Sequence, residues 1–180
     1  MQKGFTLVEL LVVIALIAVL AVAVVLTLNP AELLKQGRDS TRISDLANIN
    51  SALSLYLVDV ASPSMGTSTY CYAHASSGNA CTSGRFSGTL TAATSASQAV
   101  NGQGWIPVNL SVISSGSPLT RYPIDPTNNA TYFYAYRPSS TAGFYEINAV
   151  LESTKYSSQM TNDGGNNANA YEVGNDISNL

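Results

Sequence analysis

The chain has 180 residues, 46% of them hydrophobic and only 11% charged, with a formal net charge of −3. So acidic a balance excludes a nucleic-acid grip built on phosphate neutralisation, which needs a basic face. The length suits one domain plus an anchor, or two small domains. The apolar residues crowd before Pro30, and the remainder is rich in Ser, Thr, Gly, Asn and Tyr.

The first element is an apolar run. Leu10 to Leu26 is uninterrupted, and Glu9 is the only charge between Phe5 and Leu28. As a helix, Phe5–Leu28 is about 36 Å long, enough to cross a hydrocarbon core. It is apolar on every side, unlike a surface helix. A carboxylate in such a span marks a functional site and requires a named partner. A cleaved secretory signal is a competing reading, with Lys3 as its basic region and Ala21-Val22-Ala23 as its cleavage site. Against it, Glu9 sits where the apolar core should begin, and the run continues to Leu28.

Gly4-Phe5-Thr6-Leu7-Val8-Glu9-Leu10 follows a short leader with Lys3 and precedes the long apolar run. This arrangement resembles the processing site of the type IV pilins and of the pseudopilins of type II secretion. The resemblance covers residues 1–60, and the head matches in general layout. It implies that a prepilin peptidase cuts between Gly4 and Phe5 and methylates the new Phe5 amine. It also implies an assembly ion pair between Glu9 of one subunit and the Phe5 amine of a neighbour. In the competing reading, Glu9 merely reaches the headgroup interface.

The implied fold is α+β and type IV pilin-like: a long N-terminal helix whose apolar half spans the membrane or filament core, and a small antiparallel sheet head packed on its C-terminal half. The implied partners are copies of the chain in a helical homopolymer, the prepilin peptidase, an inner-membrane assembly platform with its ATPase motor, and membrane lipid before assembly. The implied location is the cytoplasmic membrane as precursor, then an extracellular filament.

The chain divides into a leader (1–4), an apolar helix (5–29), an amphipathic helix (30–61) and a head (62–180). Pro30 cannot continue a helix from upstream but suits a first helical position, with Asn29 as N-cap and Glu32 in the first turn. Many members of the resembled family carry a proline a few residues earlier, so the break here, near 27–30, is displaced. Beyond it, Ile43, Leu46, Asn50, Leu53, Leu57 and Val60 recur at steps of three and four, widened by Ala47, Ile49 and Tyr56. Gly37 weakens the helix interior. Lys35, Arg38, Asp39, Arg42 and Asp45 read as a solvated face, with subunit contacts as the second reading.

In the head, residues 62–104 read as an irregular connection and about 105–151 as the sheet. Trp105–Val108 reads as a short strand or edge. Thr131–Arg137 and Phe144–Leu151 alternate as two antiparallel strands. The polar C-terminal loop holds a short strand at Tyr171–Val173. The ten tyrosines suit rings packed inward with hydroxyls toward water.

Cys71 and Cys81 pair in a disulfide if the head is exported, and stay reduced otherwise. His74 lies between them, but three ligands without a fourth argue against zinc. Asp163, Asn166 and Asp176 form an oxygen-rich turn of the kind calcium takes, and the major pseudopilins carry a calcium loop late in the head; an ordinary turn is the alternative. Asn109 and Asn129 open formal glycosylation sequons. No catalytic motif and no cofactor site is legible. The expectation is therefore a structural pilus subunit for adhesion, motility or DNA uptake, and not an enzyme. The alternatives are a major pseudopilin-like subunit of type II secretion and, in another class, a monomeric tethered or secreted binding module, which has no use for Glu9.

Overall fold

The computed structural model describes residues 4–77 and 84–180, without the side chains of 26–28. The chain divides into two compact units, one ending at Lys35 and one beginning at Gln36.

The first unit is built on α1 (Leu7–Leu28). Thr6 starts the helix from an extended conformation, and its hydroxyl accepts the Glu9 N–H at 3.2 Å. From Leu7 to Val25 no side chain is buried within the molecule, and the helix is long and apolar enough to cross a membrane. It ends at Asn29, whose φ of 40° and ψ of 74° lie in the left-handed region that asparagine tolerates. A second helix, α2 (Pro30–Asp59), starts at once. The Asn29 side chain accepts the Glu32 N–H at 3.4 Å, so one residue closes α1 and opens α2. Pro30 lacks an N–H that a first helical position would leave unpaired anyway.

The second unit comprises the rest of α2 and a five-stranded sheet. The strands are β1 (Tyr70–His74), β2 (Thr91–Ser95), β3 (Ala135–Pro138), β4 (Tyr145–Ala149) and β5 (Tyr171–Gly174), ordered β2-β1-β3-β4-β5. The fold is α+β, as expected, but the sheet is mixed. β1 and β2 run parallel, Tyr70 opposite Thr91, and the other pairings are antiparallel.

Three expectations need correction. The supposedly irregular stretch 62–104 contributes two strands. Trp105–Val108 is not a strand; the Trp105 N–H donates to the Ser97 carbonyl (2.8 Å), and an isolated bridge between Asn101 and Asn109 flanks the segment. The expected sheet limits of 105–151 are wrong on both sides, because β5 also belongs to it.

Leu46, Ile49, Leu53 and Tyr56 of α2 form the main core with Tyr134, Tyr136, Tyr145, Ile147, Trp105, Ile106, Leu110 and Tyr122. A smaller cluster of Cys71, Ala73, Phe133 and Ala135, with Phe86 and Leu90, is distinct from it. The Tyr/Phe alternation thus divides correctly between two clusters, but both are buried, which is why all five residues of β4 are inaccessible. Tyrosine hydroxyls correct another expectation. Those of Tyr122 and Tyr136 do not reach water; they donate to the carbonyls of Val108 (2.9 Å) and Met65 (2.8 Å). A buried hydroxyl without a partner would be costly.

Candidate functional site

Gly4 and Phe5 precede α1 outside any helix, and Phe5 is 91% exposed. Glu9 stands one turn into the helix. Its Oε2 accepts the Thr6 N–H and the Thr6 hydroxyl, each at 2.8 Å, while the Thr6 hydroxyl accepts the Glu9 N–H. This is a reciprocal capping box, placed where the helix dipole favours negative charge. The carboxylate therefore has a partner within its own chain. Both bonds fall on Oε2, which leaves Oε1 available to a second donor. Asn29 and Pro30 occupy the junction of the two helices.

A second constellation lies on α2 within the head unit. Arg42 is fully buried. Its guanidinium donates to Asp125 through Nε (2.7 Å) and Nη2 (2.9 Å), to Asp39 (2.8 Å) and Glu152 (2.6 Å) through Nη1, and to the Thr127 hydroxyl (3.1 Å). Arg38 adds a bidentate pair to Glu152 at 2.6 and 2.8 Å. Asp39, also fully buried, accepts the backbone N–H groups of Glu152 and Ser153. Burial alone would lower the affinity of Arg42 for its proton, but its bonds to Asp125 and Glu152 raise it above the usual arginine range. The Arg38 and Arg42 hydrogen bonds hold the Glu152 carboxyl down to about 2 against the opposing effect of burial. Burial pushes Asp45 upward, opposed by the Tyr134 hydroxyl that donates to it at 2.8 Å.

The charged residues of α2 are thus not simply a solvated face. Asp39 and Arg42 tie the helix to the segments carrying Asp125 and Glu152. The signal was present in the phase: Asp39, Arg42, Leu46, Ile49, Leu53 and Tyr56 follow one another at steps of three and four. Asp125 and Glu152, distant in sequence, had no such signal.

The remaining candidates sit apart from this cluster. Cys71 is fully buried in the smaller core cluster, and Cys81 lies outside the described residues. His74 faces the Ser76 hydroxyl (2.7 Å), the Ala96 carbonyl (3.0 Å) and Asn128 (3.3 Å); Asn128 also donates to Ser76. Asp163 accepts the Gly165 N–H (3.0 Å) and Glu172 N–H (2.7 Å), the Asn166 N–H goes to the Ile177 carbonyl (3.2 Å), and Asp176 accepts from Asn179 (2.6 Å). These are turn-closing bonds. Among the described residues no group of three or more His, Cys, Asp or Glu is gathered to hold a metal ion.

Residues 1–25 match the family model described as a prokaryotic N-terminal methylation motif, the class III prepilin signal of type IV pilins and pseudopilins. No curated protein matches the chain. No solved structure matches it.

Proposed function

We propose that this chain is the structural subunit of a type IV pilus: cut between Gly4 and Phe5, methylated on the Phe5 amine, and polymerised through α1. The observation that carries this reading is a bare apolar helix whose only charge, Glu9, lies four residues after an exposed Phe5. Lipid and a packed helix core are nearly equivalent surroundings for Leu, Val and Ala, so apolar burial gives little preference for a filament. A pairing of unlike charges supplies that preference and fixes the axial register. In this reading Glu9 keeps its own helix capped through Oε2 and offers Oε1 to the Phe5 amine of the neighbouring subunit.

Filament yield after shearing, read beside a membrane blot for processed subunit, tests the proposal. Glu9→Ala should still be inserted and cut, because removing a charge makes the span more apolar. It should hardly assemble, since a buried charge left without its partner costs about 3–5 kcal/mol, more than a hundredfold in an assembly step. Thr6→Ala breaks the capping box but keeps the carboxylate, and should assemble far better than Glu9→Ala. Equal yields from the two would reduce Glu9 to a helix cap.

The same motif serves pseudopilins of type II secretion, and the surface or periplasmic location of the filaments distinguishes that reading. In either case the proposal puts the head outside the cytoplasm, where Cys71 and Cys81 pair. Intact mass with and without reductant should differ by two hydrogens.

A further inference from the structure

The smaller cluster borders a polar chain unrelated to α1. Glu146 of β4 is fully buried and Glu172 of β5 is 2% exposed. The strand register sets Glu172 opposite Asn148, two residues along from Glu146 on the same face. The two side chains are thus diagonal neighbours on adjacent strands, close enough for each carboxyl to act on the other. Each has one oxygen served by an amide: Asn148 Nδ2 donates to Glu146 Oε1 at 2.8 Å, and the Asn167 N–H donates to Glu172 Oε2 at 2.8 Å. The other two oxygens, Glu146 Oε2 and Glu172 Oε1, are buried and have no hydrogen-bond partner among the described residues. Gly165 closes over the site, since a Cβ there would fall on the Glu172 carboxyl.

Two ionised carboxylates in contact and out of water repel strongly, whereas an acid and a carboxylate share one proton and satisfy both orphan oxygens. We propose that Glu146 and Glu172 share a single proton between Oε2 and Oε1, and that this proton clasps the 163–170 segment onto the β4–β5 edge.

The surrounding charges fit one negative charge better than two or none. Arg85 is 4% exposed and reaches the pair through Asn148, donating to its Oδ1 at 3.3 Å; it also donates to the carbonyls of Phe133 and Thr131 and lies over the Phe133 ring, 4.1 Å from its centroid. From β3, Arg137 stands opposite Glu146 and acts on it favourably. From the 163–170 segment, Asp163 opposes a further negative charge on Glu172. Burial, the largest cause, pushes both carboxyls up. The clasp connects to a second segment, because Asn167 Nδ2 donates to the carbonyls of Gly84 and Arg85. Loss of the proton in alkali leaves two buried negative charges and expels the 163–170 segment.

The full-length protein in detergent micelles provides the test. Infrared difference spectra from about pH 6 to about pH 10 should show a protonated carboxyl being lost, well above the ordinary carboxylate range. The protection factors of amides in 163–172, taken relative to the base-catalysed intrinsic rate at each pH, should fall roughly tenfold or more over the same interval. Glu146→Gln keeps an oxygen for Asn148 and gives Glu172 a permanent N–H donor. It should abolish both the infrared signal and the pH-dependent loss of protection, and Glu172→Gln should do the same from the other side. Absence of a protonated carboxyl in the wild type overturns the proposal. So does a stoichiometric divalent cation whose chelation opens the segment at about pH 7, or an unchanged pH response in Glu146→Gln. The wild-type titration decides alone if either variant fails to fold.

Discussion

Arg42 gathers three carboxylates and a hydroxyl around one guanidinium in the head unit. Its planar fork meets Asp125 with two donors and still reaches Asp39 and Glu152, a geometry a lysine cannot reproduce. Arg42→Ala should destabilise the head by about 3–5 kcal/mol, because Asp39 and Asp125 would remain buried without their cation. Arg42→Lys should recover only part of that loss, measured by urea unfolding of the full chain in detergent. Glu152 gives this cluster a pH signature. Its carboxyl titrates near 4.5 without partners and near 2 in the fold. Protons therefore bind the unfolded chain first, so stability present above about pH 4.5 is lost as pH falls toward about 2. Glu146 and Glu172 are shifted the other way. Their contribution is complete below the ordinary carboxylate range and is lost as pH rises through their raised values. The head should thus be most stable in mildly acidic solution. Glu152→Gln should flatten the acid limb, and Glu146→Gln the alkaline one.

At the scale of elements, the helix junction was legible and the first two strands were not. Pro30 forbids continuation from α1, and Asn29 is among the few residues that accept a left-handed conformation, so two neighbouring residues localise the break. Asn29→Ala combined with Pro30→Ala should restore a continuous hydrogen-bond ladder, slowing amide exchange across 28–33. Asn29→Gly should leave the break in place, since glycine accepts the same φ. β1 and β2 gave little warning. β2 is Thr-Ala-Ala-Thr-Ser, short, small and mostly exposed, and its partner lies parallel across an intervening connection. Strand character there comes from pairing with Tyr70–His74, not from its own side chains. Trp105–Val108 misleads in the opposite direction. Its apolar residues fill the core as a plug, with the Trp105 indole N–H donating to the Pro123 carbonyl at 3.1 Å. An apolar run of four does not distinguish these outcomes.

At the scale of the whole molecule, the division at Lys35/Gln36 leaves Arg38, Asp39 and Arg42 with the head unit. A chain beginning at Gln36 should be soluble without detergent and unfold cooperatively, because it lacks α1 but retains the ion cluster and both core clusters. A chain beginning at Ile43 keeps the apolar stripe but loses all three charged residues. It should unfold at markedly lower urea, or fail to accumulate, since Asp125 and Glu152 would keep their negative charge without either arginine.

Sequence alone determined what depends on local chemistry. The membrane-length helix and the break at Asn29–Pro30 follow from residue types at short spacing, where rise per residue, ring closure and hydropathy act without distant partners, and the N-terminal methylation motif and the α+β class were legible through the family resemblance that the same short stretch carries. Tertiary structure decided what depends on contacts between residues far apart in the chain. The joining of Arg42 to Asp125 and Glu152, the parallel β1–β2 pair and the β4–β5 register that sets Glu146 and Glu172 diagonally on one face are such arrangements. The charge of a side chain is written in its own identity, but whether that charge faces water, a counter-ion or another carboxylate is set by the strand register and helix phase that bring distant segments together.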